Sequence, residues 1–308
     1  MSSEDPNAAQ KKDQQFEIGH KPAVQHDNYP GLEENMDPHP LDSYLPTPEG
    51  GKELYKAAGK LKGRNAIITG GDSGIGRATA VLYAMEGVSN ILITYLPEQE
   101  ETDAKETKKM CEHYGAKVVT LGIDLRKKEN CKKTIDTALK EFKKVNILVL
   151  NHATQMVREN IEELPEEQWE LTFDTNIHPF FYLSKYLIPH LTKGDTIITN
   201  ASVNAYVGRP DLLDYTSTKG AIVSFTRGLS NQYCGKGIRV NAVAPGPVWT
   251  PLVTTTMGTP QQQSFTSPIG RPSQPSEIAT CFVFLASPDS SSISGQTIHA
   301  NGGVIVNG

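Results

Sequence analysis

From Leu61 onward, short apolar runs alternate with longer amphipathic stretches. The runs at 66–69, 91–94, 117–122, 147–150, 196–199 and 239–244 have strand length, and 297–299 is a weaker seventh. Between them, 75–86, 98–114, 129–142, 179–190, 214–233 and 276–286 read as helices. Strands alternating with helices predict βαβ units, hence a parallel sheet covered on both faces. The expected fold class is α/β, a Rossmann-type doubly wound parallel sheet of about seven strands in a single domain. No internal repeat is visible.

Residues 1–60 break this pattern. Prolines recur at Pro6, Pro22, Pro30, Pro38, Pro40, Pro46 and Pro48, and apolar residues are sparse. Such a segment cannot bury enough apolar surface to offset its own ordering entropy. It is expected to be an extended or partly disordered N-terminal extension, either free or laid along the core. Residues 53–60 could make one short helix.

Composition narrows the function. The net charge of −5 and pI near 5.9 argue against a nucleic-acid partner. Hydrophobic residues make up 37% and mean hydropathy is −0.39, lowered by the polar extension. No apolar run approaches the roughly 18–20 residues of a membrane span. Residues 1–15 lack the apolar stretch of a secretory signal, and Val306-Asn307-Gly308 is no peroxisomal address. Cys111, Cys131, Cys234 and Cys281 are scattered, so neither a metal site nor a disulfide is expected. A cytoplasmic protein without membrane contact fits these features. The basic clusters Arg126-Lys127-Lys128, Lys132-Lys133 and Lys143-Lys144 read as a solvated helix face.

The first predicted strand runs directly into Thr69-Gly70-Gly71-Asp72-Ser73-Gly74-Ile75-Gly76 and then a helix. Glycines allow the tight turn and close backbone approach to a pyrophosphate. The helix N-terminus adds unpaired N–H groups and a positive dipole end. This order, strand then glycines then helix, predicts dinucleotide binding. A second constellation lies downstream. Tyr215 and Lys219 are four residues apart, on one helical face, and Ser202 precedes the tyrosine by thirteen residues. Carbonyl reduction needs a hydride donor, a proton donor and a group that polarises the oxygen. Tyrosine titrates near 10, so working near pH 7 needs roughly 4 kcal/mol of differential stabilisation. A lysine ammonium beside it acts in that direction.

The spacing Gly-x-x-x-Gly-x-Gly with Ser202, Tyr215 and Lys219 resembles the short-chain dehydrogenase/reductase family over residues 61–308. Within it, Met36-Asp37-Pro38-His39-Pro40, the 68–77 run and Ser202-Val203-Asn204-Ala205-Tyr206 look like the glucose/ribitol dehydrogenase-like subgroup, which also carries a proline-rich extension. The resemblance implies that 61–308 is a dinucleotide-binding catalytic domain with a substrate lid at about 248–275. It implies Tyr215 as acid–base, Lys219 on the nicotinamide ribose, Ser202 on the substrate oxygen, and Asn176 holding a proton-relay water. It assigns cofactor contacts to Gly70, Asp72, Ser73, Gly74, Ile75, Gly76, Asp124, Leu125, Asn151, Ala153, Pro245, Gly246, Val248 and Thr250. At 152 and 154 the chain departs from the family's Asn-Asn-Ala-Gly, having His152 and Thr154. Where NAD-preferring folds place a carboxylate about 20 residues after the glycines, this chain has Tyr95. With Arg77 as a candidate phosphate ligand, the reading leans to NADP(H). NAD(H) is the alternative, should Glu98 fold back to the ribose.

The stretch after Thr250 is rich in Thr, Gln, Ser and Pro, with Arg271 its only cation. Such a lid suits a neutral hydroxylated or carbonyl ligand. Gln155, Asn204 and Trp249 are expected at the substrate. The implied activity is interconversion of a carbonyl (aldehyde, ketone or sugar) and an alcohol. Alternatives are a tailoring reductase of an aromatic or polyketide ketone, and a non-catalytic NADP-binding sensor or scaffold. A homotetramer or homodimer is expected from the family's habit of pairing helices near 160–190 and 214–233.

Overall fold

A seven-stranded, all-parallel sheet organises the computed structural model, described here over residues 15–49 and 51–306. The part of the extension before Gln15 and the terminal Asn307-Gly308 lie outside the described residues. The extension contributes a small antiparallel pair, β1 (Tyr44–Pro46) and β2 (Lys52–Leu54). The main sheet holds β3 (Asn65–Thr69), β4 (Asn90–Tyr95), β5 (Lys117–Gly122), β6 (Ile147–Leu150), β7 (Thr196–Asn200), β8 (Arg239–Val243) and β9 (Thr297–Ile298). Their spatial order is β5-β4-β3-β6-β7-β8-β9. Order reverses between β3 and β6, and a parallel sheet opens a ligand crevice at that switch point. The expected seven-stranded doubly wound fold is therefore present, in a single domain.

Side-chain alternation along the strands builds two cores. Ile68, Ile91 and Ile93 face α1 (Gly74–Met85), α2 (Glu101–His113) and, later in the chain, the helix at Pro275–Ala286. Ile67, Leu92 and Leu148 face α3 (Lys128–Phe142) and the helices at His178–Leu187 and Leu213–Tyr233. Both faces of β3 are fully buried, which is why its sequence reads as a continuous apolar run. The remaining helices, in chain order, are α4 (Glu166–Asn176), α5 (His178–Leu187), α6 (Asn204–Val207), α7 (Leu213–Tyr233), α8 (Pro251–Thr256), α9 (Thr259–Gln263) and α10 (Pro275–Ala286).

Residues 15–60 lie along the core. Gly19 N–H bonds the carbonyl of Gly270 at 2.9 Å, and Ser276 N–H that of Leu41 at 3.0 Å. Trp249 Nε1 donates to Pro38 O at 2.9 Å. The short helix expected at 53–60 does not form. Lys52–Leu54 pairs instead with Tyr44–Pro46, and the following residues turn toward buried Glu86. Glu86 accepts from Tyr55 OH (2.5 Å), Ala58 N (3.2 Å) and Lys60 N (2.7 Å). One carboxylate at the end of α1 thus satisfies a stretch that a helix would have satisfied internally.

This arrangement generates a stability prediction. Glu86→Ala strands three donors, so it should lower unfolding free energy by about 2–4 kcal/mol in urea titration. A change below about 0.5 kcal/mol would show that these bonds do not hold the extension.

Candidate active site

The loop between β3 and α1 is shaped by its glycines. Gly74 has φ +53°, in the left-handed region. A Cβ on Gly76 would sit 1.8 Å from Gly70 O, so no side chain fits there. The close approach of loop and helix therefore requires glycine, and it leaves a smooth cradle beside the helix N-terminus.

A cleft of about 460 Å³ opens at this cradle. Gly70, Asp72, Ser73, Gly74 and Ile75 line it, followed by Tyr95, Asp124 and Leu125 from the ends of β4 and β5. Asn151 and Ala153 line it after β6, and Pro245, Gly246, Val248 and Thr250 after β8. Ser202, Tyr215 and Lys219 share the same cleft, with Gln155 and Asn204 beside them. Residues spread over 180 positions of sequence thus meet at the switch point. One buried atom at the cleft, Asn200 Oδ1, has no hydrogen-bond partner and remains for a ligand. Cradle, open acceptor and an apolar wall fit a nicotinamide dinucleotide.

Three expected residues are placed differently. Arg77 does not reach the cleft. Its guanidinium is buried on the far side of α1, bonded to Glu33 (2.7 Å), Asp103 (2.8 Å), Asp72 O (2.9 Å) and Thr107 (2.9 Å). These partners hold the side chain against α2 and the back of the loop, and Arg77 is not among the cleft-lining residues. Trp249 does not line the cleft either. It is 2% exposed and packs with Met36, Leu212 and Met257, because its indole N–H is drawn to Pro38 of the extension. Asn176 is fully buried behind the wall. Its amide accepts from Thr154 N (2.8 Å) and donates to Thr154 O (3.0 Å) and Thr218 Oγ1 (3.1 Å). The Asn176 side chain is a brace for the 153–154 loop.

Carboxylates at the adenosine side also differ from expectation. Glu98 sits in an exposed turn with φ +70°. Glu100 lines the cleft instead, accepting Leu96 N–H at 2.7 Å. Burial pushes its carboxyl up to about 7. Burial likewise raises Asp72 well above the usual carboxylate range. Asp124 is held below that range by Arg126, which bonds it at 2.7 Å.

On the inner wall of the cleft, Tyr215 and Ser202 line the same surface, and Ser202 Oγ accepts Asn204 N–H at 3.1 Å. Lys219 Nζ donates to Asn200 O at 2.7 Å and lies 5.2 Å from the Tyr215 ring centre. Burial dominates both titrations. It pushes Tyr215 up to about 12, opposed by the Ser202 hydroxyl, and Lys219 down to about 7. His152 is held in the fold: Nδ1 is 2.7 Å from Thr69 Oγ1, its ring packs at a tilt against Phe180, and burial lowers it to about 4.

The segment expected to form a lid is apolar where it faces the cleft. Leu252, Val253, Met257 and Phe265 line it. The threonines and glutamines that make its sequence polar bond elsewhere: Thr254 and Thr255 to Pro251 O, and Gln262 to Gln25 O and Met257 O. The polar wall expected from composition is absent for that reason. Sequence reasoning also missed Glu33 and Tyr29, which come from the unperiodic extension. Glu33 accepts Gly74 N–H at 2.5 Å, and Tyr29 lines the cleft.

Known proteins share this architecture. A family model described as enoyl-(acyl carrier protein) reductase matches residues 70–305. A carrot protein named glucose and ribitol dehydrogenase is 44% identical over 94% of this chain and 99% of its own. An Arabidopsis NADPH-dependent aldehyde reductase, chloroplastic, is 44% identical over 85% of this chain and 93% of its own. The crystal structure of a Brucella melitensis glucose/ribitol dehydrogenase superposes with TM-score 0.72 at 32% identity, covering 80% of this chain and 99% of that one. With its glycine cradle, switch-point cleft and matched span, the chain belongs to the short-chain dehydrogenase/reductase family of oxidoreductases.

Proposed function

We propose that the protein interconverts a carbonyl and an alcohol by hydride transfer with NADP(H), using Tyr215 as acid–base. The convergence of Ser202, Tyr215 and Lys219 on the wall of a glycine-cradled cleft carries this reading. Gly70, Gly74, Ile75 and Gly76 would hold the pyrophosphate, Asp124 and Leu125 the adenine, and Lys219 the nicotinamide ribose. Pro245, Gly246, Val248 and Thr250 would wall the nicotinamide. When bound, the nicotinamide supplies or takes the hydride. Tyr215 delivers the proton to the nascent alkoxide, and Ser202 holds that oxygen in place. Asn176 acts at one remove, fixing Thr154 and Thr218.

Several features support NADP(H). Tyr95 places no carboxylate at the end of β4, and one 44%-identical relative is named as NADPH-dependent. Glu100 favours the second reading, NAD(H), because its carboxyl lines the cleft. The apolar lid face, Leu252, Val253, Met257 and Phe265, favours aldehydes or ketones with an apolar portion over a fully hydroxylated sugar. We place the protein in the cytoplasm, where its four free cysteines remain reduced. We also infer a homotetramer. Trp169, Phe181 and Leu213 stand exposed on α4, α5 and α7, the surfaces a second copy would cover. Light scattering at micromolar concentration should give four chains; a monomer would refute this.

Oxidation of NADPH and NADH is the direct assay, followed by absorbance over short-chain, aromatic and sugar carbonyls. NADPH should turn over faster, with aldehydes ahead of sugars. In Tyr215→Phe, kcat should fall by about 10²–10⁴ while cofactor affinity stays within about threefold. Unchanged turnover in that variant would sink the acid–base assignment.

Lys219 also predicts a pH signature in the cofactor-free protein. Its folded value, about 7, lies below the unfolded 10.5. Between these values the unfolded chain binds the extra proton, so stability from this group rises with pH. Below about 7 both states are protonated and the burial penalty is complete. Lys219→Met should therefore be inactive yet more stable than wild type at pH 6.5, with the difference shrinking toward pH 9 in thermal melts. A constant difference across that range would contradict the buried, neutral amine.

A further inference from the structure

Residues 27–33 of the extension run beside the mouth of the cleft and touch three of its sides. On the lid side, Asp27 N–H bonds Thr254 O at 3.2 Å. Gly31 has φ +88° and seats so close to α8 that a Cβ would lie 2.4 Å from Thr255 Cγ2. On the phosphate-loop side, Glu33 bonds Gly74 N–H (2.5 Å) and Arg77 (2.7 Å), and its own N–H bonds Asp103 at 2.7 Å. Between these anchors, Tyr29 and Pro30 line the cleft itself. Tyr29 OH bonds Thr154 Oγ1 at 2.9 Å, on the wall that follows β6.

The three attachments differ in strength. The Glu33 end is ionic and buried. The segment is stiffened from within, because Asp27 accepts Leu32 N–H at 3.2 Å and Asn35 Nδ2 at 2.9 Å. The middle attachment is one neutral hydroxyl pair. Tyr29 is 42% exposed. Its partner cannot follow it outward, because Asn176 holds Thr154 by both backbone groups. A net worth of about 1 kcal/mol makes this bond the one that opens first.

We propose that residues 27–33 are a strap across the dinucleotide cleft and that the Tyr29–Thr154 bond is its latch. A nicotinamide dinucleotide then enters and leaves only while the latch is open. This rests on the reading that the cleft holds such a cofactor. It gives Thr154, where the family usually has glycine, a task that glycine cannot perform. It also explains why the extension is fixed so firmly at Glu33: a strap needs a hinge that does not slip. Tyr29 and Thr154 are positioning residues, remote from the transferred hydride.

The test is kinetic. Stopped-flow fluorescence of NADPH, or of NADH should only that bind, gives kon. Displacement by excess oxidised cofactor gives koff. In Tyr29→Phe both should rise about fivefold to tenfold with Kd nearly unchanged, since the latch restrains passage in both directions. Thr154→Val, which keeps its backbone bonds, should match it, and the double variant should add nothing further. Unchanged rates in both single variants overturn the latch. A rise in koff alone makes Tyr29 a direct cofactor contact and overturns it too. An effect of Tyr29→Phe that Thr154→Val does not reproduce also overturns it. Failure of the wild type to bind either dinucleotide refutes the function reading itself, and the strap with it.

Discussion

One buried guanidinium determines how the rest of this molecule fits together. Arg77 gathers Glu33 from the extension, Asp103 and Thr107 from α2, and the Asp72 carbonyl from the phosphate loop. A buried ion pair is weak evidence for net stability, but losing one partner leaves an uncompensated charge, at about 3–5 kcal/mol. The cluster therefore acts chiefly as a register mark. The extension can seat only where Glu33 meets both Arg77 and Gly74 N–H. The carboxyls outnumber the cation, and burial raises both Glu33 and Asp42, Asp42 well above the usual carboxylate range.

Once the extension is registered, the lid follows. Pro38 takes the Trp249 indole, the Gln262 side chain bonds both backbone groups of Gln25, and Arg271 reaches Phe16 O at 2.8 Å. These contacts draw the lid's polar groups outward. What is left to face the cleft is Val253, Met257 and Phe265. The character of this side of the cleft is thus set partly by a segment that contributes almost nothing to the main core.

The sheet was legible because each strand is a short apolar run with a turn on either side, and burial on both faces enforces that pattern. The cradle and the Ser202, Tyr215, Lys219 set were legible because local spacing fixes them: a loop, a strand end and one helical turn. Arg77 was not, since its position beside the last glycine says nothing about which face of α1 it takes. Trp249 misled for the same reason; a residue in the right loop was drawn off by a carbonyl 211 positions away. The 53–60 segment had helical composition, yet Glu86 offered its N–H groups a better partner. In each case a long-range polar partner decided what short-range pattern could not.

The wall that carries Tyr215 and Lys219 shows the same competition between burial and charge. Desolvation disfavours both ionic forms, so Tyr215 rests as a phenol and Lys219 loses its proton near pH 7. A neutral phenol beside Ser202 has a proton to give, which is the need of the reductive direction. Taking a proton requires tyrosinate, and tyrosinate in a dry wall requires a positive charge beside it. Lys219 provides that charge only on the acid side of its range, while tyrosinate itself is favoured by alkali. The two requirements pull toward opposite ends of the pH scale, and burial sets both.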